Sequence, residues 1–499
     1  MGKSRTIISG VTWTVIQNVV NILYGIISVP FLLGYFGKED YGLIGLALSV
    51  NVYMQLLDMG MMNSNVRFFS EFIAKGDEQR VQKLFSLTYL FYAAIGLINS
   101  VVLFVVSFWV ESLFKITPEQ AVILRNLLWI LALNATFSWV SVCFDQLLRA
   151  GELIDWIKKR ATFLKLMQFL VLWMVIGFKL SIEVYFFGYI FVATFILPWT
   201  IVKAKRIFPK LRIVIGFDKG IVLTVYPYAL SIFSFSIFHF LTFNFRPLLL
   251  GGLSGPGTVA EFNVMNTISM VVTVISGSFM QVLLPIVTKM SVKEEHSGID
   301  RMINDGTKYV VILLSAIIFI LILNINEIFT LYVGDEYTSL STWMIIWLLT
   351  LLLSHRSVMT SLIFTKKRLK PVAVMGAIAM IVALLFYVTL IPKYGVGGVV
   401  IGFTAHEIIH TLFYYVFFLP RKFGLDTFRV FLKSVFPSWM WLGVTAIVIY
   451  SIITILDLSV LTSVIIKTSL CGIIFLPTIW LVIFNSKDRS FVLSLLKKK

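Results

Sequence analysis

Apolar residues along this chain come in continuous blocks of about twenty or more, separated by short polar turns. The alternating polarity of a membrane barrel strand, about 10 residues long, is absent. A helix crossing a hydrocarbon core of roughly 30 Å needs about 20 apolar residues. In lipid every backbone group must be satisfied within its own segment, so continuous apolar blocks read as helices. The pattern therefore predicts an all-α polytopic membrane protein with about fourteen transmembrane helices. They fall near 7–36, 41–66, 84–110, 121–148, 160–179, 183–202, 220–247, 257–289, 308–332, 341–364, 371–392, 396–419, 434–456 and 460–484. The loops are short, and no inserted soluble domain leaves room for an extramembrane active site.

Composition agrees: 59% of the residues are hydrophobic, 13% are charged, and the mean hydropathy is +0.93. A soluble domain carries about 25% charged residues. The net charge of +17 changes the picture only through its placement. With the N-terminus in the cytoplasm, seven of the 42 Lys and Arg fall on the outer side: Lys38, Lys115, Arg125, Lys179, Arg246, Lys393 and Lys467. Basic residues concentrated in cytoplasmic loops set orientation and meet anionic lipid. Both termini are thus expected inside, membrane lipids are expected partners, and nucleic acid is not. Cys143 and Cys471 lie within apolar blocks and offer neither a metal spacing nor a disulfide framework.

An internal repeat organises the chain. Pro30-Phe31-Leu32-Leu33-Gly34 resembles Pro247-Leu248-Leu249-Leu250-Gly251 at an offset of 217 residues, and the same offset pairs Gly60 with Gly277. Each copy opens a six-span unit, giving an N-lobe at 1–215, a C-lobe at 216–432, and two extra spans with a basic tail at 433–499. Six is even, so the two units share one orientation, a parallel-repeat arrangement found in transporters. Pro30 and Pro247 crowd the preceding turn and mark candidate hinges.

Polar residues inside spans show where a pathway would run. Gln17, Asn21 and Tyr24 lie at i, i+4, i+7 on the first span, and Asn51, Gln55 and Asp58 repeat the spacing on the second. Such stripes face a bundle interior or a water-filled cavity rather than lipid. In the second unit Asn244, Arg246, Asn263, Asn266 and Gln281 play a similar part. Amides suit sugar hydroxyls, and an arginine fork suits phosphate. The competing reading is that the amides only join helices. Asp58 is a candidate for proton or sodium coupling, or for a gating pair with Arg246 or Arg67. Glu261, and Asp145 with Arg149, read as interfacial pairs.

One motif points to another class. His406-Glu407-Ile408-Ile409-His410 fits H-E-x-x-H, which on a helix sets two His on one face for zinc with a glutamate base. No third ligand stands out. A polar patch joining helices accounts for the same residues. No phosphate-binding loop and no nucleophile with partners is present, so neither an enzyme nor a cofactor is expected.

The stretch Pro30-Phe31-Leu32-Leu33-Gly34-Tyr35-Phe36-Gly37-Lys38-Glu39-Asp40-Tyr41-Gly42-Leu43, ahead of an apolar second span, resembles the polysaccharide-biosynthesis membrane proteins. These are O-antigen and capsule repeat-unit flippases of the multidrug/oligosaccharidyl-lipid/polysaccharide exporter superfamily. The resemblance implies two six-helix lobes in a V, lined by the first, second, seventh and eighth spans. It also implies a substrate carried on a lipid diphosphate, usually undecaprenol, in a bacterial inner membrane, with polysaccharide polymerase and glycosyltransferases as partners. Arg67 and Arg246 are candidates for diphosphate contacts by placement. A cation-coupled multidrug exporter and an intramembrane zinc protease are the alternatives.

Overall fold

The computed structural model describes residues 3–214, 218–292, 296–356, 358, 370–453, 456 and 458–496. Among them every regular element is helical. Twelve helices are long and apolar enough to cross a membrane, and thirteen if the bent pair Lys38–Asp58 and Met61–Ala74 is one span. The sequence predicts fourteen. The expected range 220–247 is occupied by the helix Lys219–Asn244, which has Pro227 inside it and is not among those twelve.

The helices start where local chemistry supplies partners for their first N–H groups. Thr117 and Gln120 form a capping box around Pro118 at the head of Pro118–Ala150. The Asp77 carboxylate accepts from Arg80 N–H ahead of Glu78–Val106. Asp218 does the same for Lys219–Asn244 through Ile221 N–H, with its other oxygen 3.0 Å from Lys83 Nζ. That hydrogen bond, reinforced by Lys83, holds the Asp218 carboxyl below the usual range.

Packing divides the chain into two compact units, Met1–Val264 with Val388–Val396, and Met265–Tyr387 with Gly397–Lys499. Compact packing and sequence repetition are different criteria, and the division at 215 and 432 remains a proposal. In the first unit Glu78–Val106 lies along Pro118–Ala150. Tyr92 stacks on Trp139 at 5.7 Å, and Phe85 meets Phe144 edge-on at 5.3 Å. Met61, Phe69, Leu84 and Leu147 complete that core. In the second unit the last two spans pack on Ile303–Leu323 through Leu442, Ile449 and Cys471. Two ion pairs secure it, one buried at both ends and one with a half-buried carboxylate. Lys467 on Val460–Thr478 meets Glu327 on Ile325–Tyr332, and Lys308 meets Asp488 on the terminal helix Ser486–Leu496.

Candidate functional site

The second span breaks at Asp58. Met59 (φ 48°) and Gly60 (φ 78°) are left-handed, and the two halves meet at 47°. A Cβ on Gly60 would collide with the carbonyl of Ala229, so glycine is required both by its backbone angle and by a neighbouring helix. Asp58 holds this break. Tyr92 Oη donates to Asp58 Oδ1 at 2.5 Å, and Met62 N–H donates to Oδ2 at 3.2 Å. Behind Tyr92, Gln146 Nε2 donates to its oxygen at 2.7 Å, and Asn65 Nδ2 donates to Gln146 Oε1 at 2.9 Å. Tyr92, Gln146 and Asn65 are fully buried. Every donor in this chain points one way, and the Asp58 carboxylate is the acceptor on which the chain ends. Asp58 is thus bound by Tyr92 and a helix N-terminus, and neither Arg67 nor Arg246 touches it.

The first-span stripe is half-buried on Lys3–Phe36, which runs unbroken through Pro30. Gln17 Oε1 and Asn21 Oδ1 have no hydrogen-bond partner among the described residues. The Tyr24 hydroxyl lies 3.4 Å from that of Tyr185. Lys165 Nζ stands 4.5 Å from the Tyr24 ring centre and forms no ion pair among the described residues. This lysine lies inside the span Ile154–Gly177. Unpaired amide oxygens on the stripe that ends at Tyr24, with a lysine of another span against the Tyr24 ring, suit a ligand with hydroxyl donors and an anionic group.

The other candidates are more dispersed. Asn51 Oδ1 accepts from Asn99 Nδ2 at 3.3 Å, and Gln55 is exposed. Arg67 is exposed, with its guanidinium 4.2 Å from the Tyr228 ring centre. Asn244 Nδ2 donates to Phe240 O at 3.2 Å, just before a break at Phe245. Arg246 is buried, its guanidinium 4.6 Å from the Phe243 ring centre, and Pro247 follows in the first turn of Arg246–Leu253. Asn263 is half-buried and Asn266 exposed. The side chain of Gln281 lies outside the described residues.

The stretch around Gly37 is where the quoted motif acts. Lys38 Nζ donates to Glu261 Oε1 at 2.6 Å, the partner expected of an interfacial Glu261. Gly257 N–H donates to Glu39 Oε2 at 3.1 Å, so Glu39 caps the start of Pro256–Val292 with a charge of the sign the helix dipole prefers. Gly42 and Gly45 lie one turn apart on one face of Lys38–Tyr53. A Cβ on Gly42 would strike the Pro256 carbonyl, and one on Gly45 would strike the Asn263 amide. The helices approach closely there, backbone against backbone at Gly42 and with the Asn263 amide and Val259 filling the space opposite Gly45.

Two sequence-level pairings change. Asp145 is gripped by Arg160 with both nitrogens, at 2.6 and 2.7 Å, rather than by Arg149. Arg160 comes from another helix with its fork aligned to the carboxylate, which an i, i+4 neighbour does not match here. The H-E-x-x-H glutamate is an ion-pair partner. Arg356 Nη1 lies 2.6 Å from Glu407 Oε2, and His406 Nδ1 lies 3.2 Å from Oε1. A carboxylate held by a guanidinium is not poised to accept a proton from water. Among the described residues no three metal-ligating side chains cluster.

A model of the family described as "Polysaccharide biosynthesis protein" matches residues 7–291. The chain belongs to that family. The resemblance read from residues 30–43 is borne out, and the chain is a multi-pass membrane protein of a transporter and flippase fold. A solved structure titled lipid II flippase MurJ, inward closed conformation, superposes with a TM-score of 0.71 at 15% identity, covering 95% of this chain and 99% of that one. An inward-facing multidrug resistance MATE family transporter of the MOP superfamily gives 0.62 at 14%, covering 83% and 94%. The MATE multidrug transporter DinF-BH gives 0.61 at 16%, covering 84% and 96%. No curated protein sequence matches the chain.

Proposed function

We propose that the chain moves a polyprenyl-diphosphate-linked oligosaccharide, an O-antigen, capsule or related repeat unit, from the cytoplasmic to the outer leaflet by alternating access. Membership in the polysaccharide biosynthesis family carries this reading. The polar stripe of Gln17, Asn21 and Tyr24 supports it, because it offers acceptors to sugar hydroxyls. Lys165, Arg67 and Arg246 are proposed for the diphosphate, Asn51, Gln55, Asn244, Asn263, Asn266 and Gln281 for the sugar. Asp58 is proposed to couple the cycle to protons or sodium. The break at Met59–Gly60 joins Pro30 and Pro247 as a proposed hinge. Cytoplasmic termini, two six-helix lobes, and polymerase and glycosyltransferase partners belong to the same proposal.

Lipid extracts from cells with and without the gene test it. The expected result is accumulation of a complete polyprenyl-diphosphate oligosaccharide on the cytoplasmic side. Unchanged lipid-linked sugars would overturn it. A second reading, a cation-coupled multidrug exporter, is favoured by the likeness to MATE structures. Its mark is drug sensitivity on deletion with normal glycan precursors.

A further inference from the structure

A cavity of about 540 Å³ opens in the second compact unit, walled by Leu353, His355, the turn 411–416 and the hairpin 420–431, with Trp439 behind. Its volume falls within the range of small-ligand sites, roughly 300–1,000 Å³. Most of the polar groups in its wall are already engaged by the protein. His355 binds Leu352 O at 2.8 Å and the Tyr415 hydroxyl at 2.6 Å. Thr427 donates to the Tyr415 carbonyl, and Asp426 accepts from Arg429 N–H. Little remains for a sugar or a polar drug, so the cavity is hydrocarbon-like in effect. Leu412, Val416 and Phe428 are more than half exposed around it, which gives a greasy mouth.

Two features turn a greasy hole into an amphiphile site. Trp439 Nε1 is buried and has no hydrogen-bond partner among the described residues. Its ring is fixed edge-on against His355 and Phe431. The ring, rather than its N–H, is what Trp439 contributes to the cavity wall. The hairpin and the turn after it also carry Arg421, Lys422, Arg429 and Lys433, all exposed and without an ion pair among the described residues. Arg421 and Lys422 end a short helix, where cations are ordinary. Arg429 sits in the first turn of the span Thr427–Ile453, where the helix dipole disfavours cations, and Lys433 follows one turn on. Helix electrostatics therefore does not explain them. An anionic head group above the cavity does. The wall is also built on two π-helical turns, Phe413–Phe418 and Phe431–Val435, a wide form that recurs at functional sites.

We propose that this cavity binds one anionic glycerophospholipid of the surrounding bilayer. An acyl chain fills the cavity against the Trp439 ring, and the phosphate head lies among the four basic side chains. This site is independent of the substrate proposed above. The test uses the full chain, purified and incubated with equal amounts of dioleoyl phosphatidylglycerol and dioleoyl phosphatidylcholine, then stripped and weighed by native mass spectrometry. The expected result is one retained phosphatidylglycerol, favoured about tenfold or more. The surface variant R421Q/K422Q/R429Q/K433Q brings the two lipids to parity, and Val416→Trp, which fills the cavity, retains neither. Should V416W not fold, phosphatidylglycerol brominated on its acyl chains replaces it. Quenching of the wild type then exceeds that of Trp439→Phe. Equal retention of both lipids by the wild type, retention of none, or quenching that ignores Trp439 would overturn the proposal.

Discussion

Replacing Lys467 by methionine removes the buried member of an ion pair and leaves its half-buried carboxylate partner in place. Lys467 is 4% exposed, and its ammonium binds Glu327 and, at 3.0 Å, the carbonyl of Leu323. Burial alone would push the Glu327 carboxyl up. Lys467, with Ser463 donating at 3.0 Å, outweighs that and holds it below the usual range. An unpaired buried charge costs about 3–5 kcal/mol. Glu327 has an escape, because it can take a proton. From an ordinary glutamate pKa near 4.3, neutralisation costs about 3.7 kcal/mol at pH 7 and about 1 kcal/mol at pH 5. The variant therefore loses about 3–4 kcal/mol at pH 7, and the deficit shrinks to about 1 kcal/mol at pH 5. The sign follows from linkage. A depressed carboxyl stabilises the fold above its unfolded pKa, and that contribution fades as pH falls through the folded one. Replacing both partners, K467M/E327L, recovers most of the loss, since a well-packed apolar pair is about neutral against a buried ion pair. Denaturant titration of the purified protein in micelles at the two pH values measures this. Equal midpoints for wild type and Lys467→Met at pH 7, or a deficit that ignores pH, would refute the reasoning.

Gly60→Ala sets a Cβ against the Ala229 carbonyl at a left-handed φ, so a loss of about 1–3 kcal/mol or poor accumulation is expected in the same titration. Tyr92→Phe orphans the Gln146 amide and one Asp58 oxygen and costs about 1–3 kcal/mol for each group left unmet. Hydrogen exchange is expected to rise around residues 58–66, and a rise confined elsewhere would count against the network. Asp218→Asn removes a carboxyl whose pKa is depressed by Ile221 N–H and Lys83. Wild-type protection of amides 219–222, corrected for intrinsic exchange, is expected to weaken as pH drops below about 4, and the variant to show no such step.

The spans were legible because twenty-residue apolar blocks admit one structure in lipid, and the stretch 30–43 carried the family. The location of Glu261 in a polar pairing was legible too, since a carboxylate beside a membrane needs a partner. What escaped depended on distance in the chain. The close approach of Ala229, some 170 residues away, which requires glycine at the break, is not visible in the local run Leu56–Met62. Tyr92, Gln146 and Asn65 are isolated polar residues on three apolar helices, and only folding lines them up behind Asp58. The sequence does not single out Lys165, and only the folded chain sets it against Tyr24. Arg160 displaces Arg149 as the partner of Asp145 because a fork approaching from a second helix can reach both oxygens.

The seam at Gly42 and Gly45 has a consequence for speed. Where helices interlock, parting them requires each knob to leave its socket, and many small contacts are lost in series. Here backbone meets backbone at Gly42, and opposite Gly45 only the Asn263 amide and Val259 have to slide clear. Two tethers, Lys38 to Glu261 and Glu39 to Gly257 N–H, add to that small packing resistance. A junction built this way behaves as a clasp rather than a zip. The Lys38–Glu261 pair is partly exposed and contributes about 1 kcal/mol or less, so editing that charge changes the opening rate by a few-fold and leaves the shape of the surrounding helices untouched.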